Sequence, residues 1–262
     1  IKQDKASMLI FDMHSEYGLQ ARQERGQSQF VKGLKILFPE KVIIFSLDPN
    51  STRRRGCSPD VVVTIPYGAL SVEDICSLQD ELNLHPTALE AAYLLAAKYK
   101  NEWLQTLLDK GMDAKDLAQS VGAHVESVGA LYRKLKRIER YGFLTRNLQG
   151  HSDFSVIDQM MEYISAGKTV VVEFGNYSST FCYLLVANII SRRIYQDYMD
   201  KTEKFLASQL AQDEPRKLLI CIEEAHKFLN PIAARQTIFG VIAREMRKYY
   251  VSLLVIDQRP SG

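Results

Sequence analysis

Four cysteines are scattered through 262 residues with no C-x-x-C pair among them, which argues against a zinc knuckle or a disulfide framework and for a reducing compartment. The five histidines show no ligand spacing either. Long apolar runs are missing as well. The longest, such as Tyr183–Ile190, fall far short of the roughly 20 residues a membrane-spanning helix needs, and no signal peptide is visible. A cytoplasmic protein without a membrane partner is expected. An excess of either charge is lacking: 33 Lys and Arg stand against 31 Asp and Glu, so any basic surface must be local. A phosphate-cradling loop is absent too. Ala166-Gly167-Lys168-Thr169 is the only candidate, but Glu162 stands where such a loop needs its first glycine. Its order is also reversed, because it ends a helix and opens a strand, and Gly167 reads better as a helix C-cap.

What is present alternates. Residues 1–66 read as strands at Ser7–Phe11, Lys41–Ser46 and Asp60–Ile65, with a long amphipathic run at Ala21–Phe38. Residues 67–150 carry apolar side chains at helical spacing and no convincing strand, so they read as a helical insertion. Residues 151–262 return to strand and helix: a helix to Ile164 with Asp153 as its cap, the valine run Thr169–Phe174, a long helix from Ser179, then the strand before Glu223, a helix at Ala233–Lys248 and a last strand at Val251–Ile256. Strands separated by helix-length segments predict βαβ units, hence an α/β fold with a mostly parallel sheet and helices on both faces. The chain opens at Ile1 almost directly on a strand and closes just after one, as a piece of a longer fold would.

Three strand ends carry the chemistry. Lys217-Leu-Leu-Ile-Cys-Ile-Glu223-Glu224 is an apolar run that stops in two carboxylates. Ligands of parallel sheets bind at the strands' carboxyl ends, and acids there cost desolvation energy unless a cation or hydrogen bonds hold them. Mg²⁺ and a water poised beside a nucleoside triphosphate would explain the pair; an acidic helix start would explain it more simply. Met8-Leu-Ile-Phe-Asp12-Met-His-Ser-Glu16 repeats the pattern, with a capped turn as the plainer reading. Gln258 follows the last strand, where an amide is placed to sense a γ-phosphate. Arg244 and Arg247 end the preceding helix, where they can reach a transferring phosphoryl group or merely complement the helix dipole.

The phrases LIFDMHSEYG, LLICIEEAHKFL and AREMRKYYVSLLVIDQRPSG, in this order, resemble motifs of the HerA-type ATPases, hexameric DNA translocases related to FtsK, and YISAGKTVVVEFGNYS resembles the segment before their Walker B strand. The likeness implies a RecA-like core interrupted by a helical insertion, with ATP and Mg²⁺ as cofactors. It makes Glu223 the Mg²⁺-side acid, with contact through water, Glu224 the catalytic carboxylate, Asp12 and Glu16 additional nucleotide-side acids, Gln258 the sensor, and Arg247 or Arg244 a finger reaching a neighbouring subunit. It further implies a homohexamer, double-stranded DNA and a NurA-like nuclease in DNA-end processing. Met246, Tyr250 and Ser252 depart from it, standing where glycines are expected. The Walker A loop is expected upstream of Ile1, so this chain alone should not turn over ATP.

Two basic stretches leave alternatives open. Arg53-Arg54-Arg55 follows a Pro-Asn turn and reads either as a loop facing DNA phosphates or as a solvated turn. Residues 113–146 read like a winged-helix module with a basic second helix, which would suit a non-catalytic DNA-binding regulator, or as an amphipathic helix with a solvated basic face.

Overall fold

The computed structural model describes residues 6–18, 20–22, 30–146, 156–224 and 238–257. Among them lie the strands β1 (Ser7–Asp12), β2 (Gln20–Arg22), β3 (Phe30–Lys32), β4 (Val42–Ser46), β5 (Val61–Val62), β6 (Ile65–Pro66), β7 (Leu144–Thr145), β8 (Thr169–Glu173), β9 (Leu218–Ile222) and β10 (Val251–Val255). The chain divides into two compact units, Ile1–Val63 with Phe154–Gly262, and Thr64–Asp153.

The first unit is built on one sheet of order β10-β9-β1-β8-β4-β5, in which every neighbouring pair is parallel. This is the α/β architecture expected. Successive side chains of a strand face opposite sides, and all five residues of β8 are buried, so both faces are covered at that strand. Its Val170-Val-Val run is thereby explained. Ile10, Val42, Ile44, Val171 and Cys221 form one core cluster across four neighbouring strands. Burying each such aliphatic side chain is worth roughly 1.5–3 kcal/mol. The two edge strands leave apolar groups half out, β10 at Leu254 and Val255 and β5 at Val62.

Helix ends follow local chemistry. Val156–Ser165 stops at Gly167, whose φ of 84° suits a residue without Cβ. The N–H groups of Gly167 and Lys168 donate to the carbonyls of Ile164 (3.1 Å) and Tyr163 (2.9 Å), satisfying the last turn. Ala166–Thr169 is therefore a helix-to-strand turn and no phosphate loop. The helix Thr180–Ser208, capped by Ser179 Oγ accepting from the Cys182 N–H at 3.2 Å, is buried along its first half and leads toward β9.

Some expectations need correction. The amphipathic run at Ala21–Phe38 is not one helix: β2 and β3 pair antiparallel, and among its described residues only Leu34–Leu37 is α-helical. Leu34 and Phe38 pack, partly buried, against the sheet's core cluster, while Val31, Ile36 and Leu37 are about half exposed, so the described part of the run buries a short stretch and not one long helical face. Asp60–Ile65 is two strands, β5 against β4 and β6 against β7.

The second unit is helical, with α-helices at Val72–Cys76, Gln79–Leu82, Pro86–Tyr99, Trp103–Lys110, Ala114–Val121 and Val125–Leu135 and a 3₁₀ turn at Lys136–Arg140. Ser71 and Asp74 form a capping box, and the buried Trp103 Nε1 donates to the Leu70 carbonyl at 2.9 Å. The unit does contain strands, the short parallel pair β6 and β7. Since β7 pairs in parallel, the described residues form no antiparallel wing after Val125–Leu135, and the winged-helix reading reduces to a helix-turn-helix.

Candidate functional site

Three carboxylates line the carboxyl edge of the sheet. Asp12 ends β1, Glu173 ends β8 directly opposite it, and Glu223 follows Ile222, which pairs with Phe11. β1 lies between β8 and β9, so the acids sit on adjacent strands where crossovers leave in opposite directions, the usual ligand position of an open parallel sheet.

Asp12 is fully buried. Its carboxylate accepts from the N–H groups of Glu16 (2.8 Å), Tyr17 (2.9 Å) and Gly18 (3.1 Å), which folds the following loop back over the strand end. Burial pushes its pKa up, while the three N–H groups and Arg55 pull down. Ser15, inside that loop, holds a left-handed φ of 57°.

Glu223 is 6% exposed. The Met13 N–H and the Tyr17 hydroxyl donate to its side chain, yet its Oε2 has no hydrogen-bond partner. The Tyr183 hydroxyl lies 3.3 Å from the Phe11 carbonyl and 3.2 Å from the Glu223 carbonyl, strapping β1 to β9 where their ladder ends. Burial, then the nearby charge of Asp12, push the Glu223 carboxyl up to about 7. The folded state therefore holds a proton that the unfolded chain releases near pH 4.5, so stability falls as pH rises between those values. At about 1.4 kcal/mol per pH unit, the loss reaches at most ~3 kcal/mol. Glu223→Gln has no such proton to lose. Urea unfolding from pH 4.5 to 8 should show the variant gaining on the wild type as pH rises; a constant difference would refute the assignment.

Glu173, which the sequence reading did not single out, is fully buried. Its Oε2 accepts from Arg55 Nη2 at 2.8 Å and from the Thr52 hydroxyl at 3.2 Å, while Oε1 has no partner. Burial raises its pKa against the pull of Arg55. A Cβ on Gly18 would fall 2.5 Å from that Oε1, so a larger residue there would have to displace the Glu173 carboxylate. Arg55 Nη1 also donates to the Ser15 carbonyl at 2.9 Å.

The other expected residues fall as follows. Glu224 is half-buried beside Glu223 with a left-handed φ of 51°. Glu16 lends its N–H to Asp12 while the residue is exposed. Arg244, on the helix Ile238–Glu245, and Arg247, on the turn Met246–Tyr249, are exposed and line an open cleft with Glu245 and Lys248. Gln258 lies outside the described residues; β10 runs parallel beside β9 toward the same edge. Tyr250 adopts φ 66°, a conformation glycine takes without strain, with its ring against Phe205 at 6.3 Å.

Arg53-Arg54-Arg55 is not a loop. Asp48 caps a helix over Pro49–Arg54; Arg53 and Arg54 are exposed. Arg55 pairs with Glu173 while about a third of its side chain stays exposed, because a fully buried carboxylate demands a counter-cation.

Glu173 had the same signal as its neighbours, an apolar run ending in an acid. Tyr17 and Tyr183 had none, since their roles depend on which strands become adjacent. The family described as helicase HerA, central domain, matches the chain over residues 1–194. No curated protein matches the chain.

Proposed function

The chain belongs to the HerA helicase central-domain family, and from that premise we propose that it is the motor element of an ATP-driven translocase or helicase acting on double-stranded DNA. The reading is carried by one observation: adjacent parallel strands deliver Asp12 and Glu223 to a single sheet edge, leaving a buried Glu223 oxygen without a partner. Once its proton is displaced, that hard carboxylate oxygen suits Mg²⁺, which takes one or two protein carboxylates and fills its shell with phosphate oxygens and water. The lack of a three-ligand metal cluster among the described residues accords with a cation brought by the nucleotide. Bound there, Mg²⁺ would neutralise charge developing on the transferred phosphoryl group.

The protein groups divide the remaining work. Glu224 orients and polarises the attacking water. Tyr17 and Tyr183 fix the chain around Glu223. Asp12, whose two oxygens already hold loop N–H groups, acts as a positioning residue and not as a metal ligand. Gln258 senses the γ-phosphate, and Arg247, or Arg244, reaches the site of a neighbouring subunit in a homohexamer. The assembly works in the cytoplasm with a NurA-like nuclease at DNA ends.

ATP hydrolysis by the protein carrying its phosphate loop should rise several-fold when duplex DNA is added. No hydrolysis, with or without duplex, would remove the motor reading.

A further inference from the structure

Charge is divided sharply within the second unit. Residues 64–130 hold ten acids (Glu73, Asp74, Asp80, Glu81, Glu90, Glu102, Asp109, Asp113, Asp116, Glu126) and four bases (Lys98, Lys100, Lys110, Lys115), a net of −6. Residues 131–146 hold six bases and one acid, Glu139, a net of +5.

The basic segment has a shape. Leu131, Leu135 and Ile138 are fully buried and face the unit's core. Arg133, Arg137 and Arg140 each follow one of them by two residues, which turns a helical side chain to the opposite side. Arg133 and Arg140 are accordingly exposed and Arg137 half-buried. Gly129 leaves room for the Arg133 guanidinium: a Cβ there would stand 3.3 Å from its Nη1. Arg140 lies over the Tyr141 ring at 4.9 Å. The segment's own acid, Glu139, pairs with Lys136 at 2.7 Å.

Helix-dipole complementation accounts for only part of this ridge. The dipole acts within the last turn, which holds Arg133, whereas the row continues past the α-helix through Arg137 and Arg140 of the following 3₁₀ turn. Like charges three or four residues apart repel, so the row costs stability in the free protein. The preceding helix Ala114–Val121 ends at Gly122, with φ 70°, and packs its Leu117 and Ala118 inward, presenting the basic helix as the second of a helix-turn-helix.

We propose that Arg133, Arg137 and Arg140 form a contact surface for the phosphate backbone of duplex DNA. Guanidinium groups match phosphate oxygens bidentately, and a ridge without a set of neutral hydrogen-bonding side chains reads charge and not sequence. The surface is independent of ATP and of the acidic sheet edge.

Binding of the full chain to a fluorescent duplex, without nucleotide, tests it across a range of salt. Arg133→Ala/Arg137→Ala/Arg140→Ala should weaken binding at least about tenfold at low salt and flatten the slope of log K against log [salt] by roughly 2–3, near 0.9 for each lost phosphate contact. Lys98→Ala/Lys110→Ala/Lys115→Ala, with the same charge change elsewhere in the unit, should leave both unchanged. The single Arg133→Gln, which keeps most of the stem, should flatten the slope by about one, and it serves if the triple variant melts early. Equal losses in the two triple variants, an unchanged slope, or poly-glutamate competing as well as duplex would overturn the proposal. A duplex-binding result stands even if the ATPase assays fail.

Discussion

Glu224→Gln should lower DNA-stimulated ATP turnover by roughly 10²–10⁴-fold, the usual contribution of a positioned general base, while nucleotide still binds. The amide keeps the length of the side chain but cannot take a proton from water. The backbone gives no competing explanation, because at φ 51° Gln is no more strained than Glu. A loss of turnover therefore reads the carboxylate itself. Turnover within twofold of the wild type would end the catalytic assignment of Glu224 and return the acidic pair to the role of a helix start.

The second large effect concerns stability. Arg55→Met removes the cation beside Glu173, whose side chain is fully buried while Arg55 is about one-third exposed. Breaking such a pair from one side typically costs 3–5 kcal/mol, because a charge remains buried without a partner; with Arg55 partly solvated, about 3 kcal/mol is expected. The loss should be largest at alkaline pH. Glu173 already has a raised pKa, and without Arg55 it rises further, so on acidification the carboxyl protonates in the folded state and the missing cation matters less. Adding Glu173→Gln to Arg55→Met should recover much of the loss, since no buried charge is then left unpaired. Urea midpoints at pH 5 and pH 8 check both points. Equal losses at the two pH values, or no recovery in the double variant, would show that the pair acts by packing alone.

Such a partnership was outside the reach of sequence reading. Arg55 and Glu173 are 118 positions apart, and nothing local distinguishes Arg55 from Arg53 and Arg54. The arginine triplet looked like a basic loop because charge runs are usually solvated. It is a capped helix because Asp48 offers its carboxylate to the Ser51 N–H, and its last member turns inward because Glu173 is waiting there. The stretch Ala21–Phe38 misled for a related reason: its apolar spacing matched a helix, but part of it pairs as antiparallel strands, and while Leu34 and Phe38 pack on the core, Val31, Ile36 and Leu37 stay about half exposed.

The strands with strong local patterns were legible from residues alone. Continuous apolar runs stopping in acids at Asp12 and Glu223 announced buried parallel strands with candidate site residues at their ends, because burial on both faces demands continuous apolar runs. Gly167 as a helix stop, the helical character of most of residues 67–150, and the family motifs were equally visible, being properties of neighbouring positions. Strand order was not. It takes the folded sheet to set β8 and β9 on either side of β1, and that adjacency creates the site: a hydroxyl from Tyr17 on Glu223, Tyr183 bridging two strand ends, a third acid at Glu173. Contacts between distant segments are chosen by the energy of the whole core, and no short stretch of chain encodes that sum.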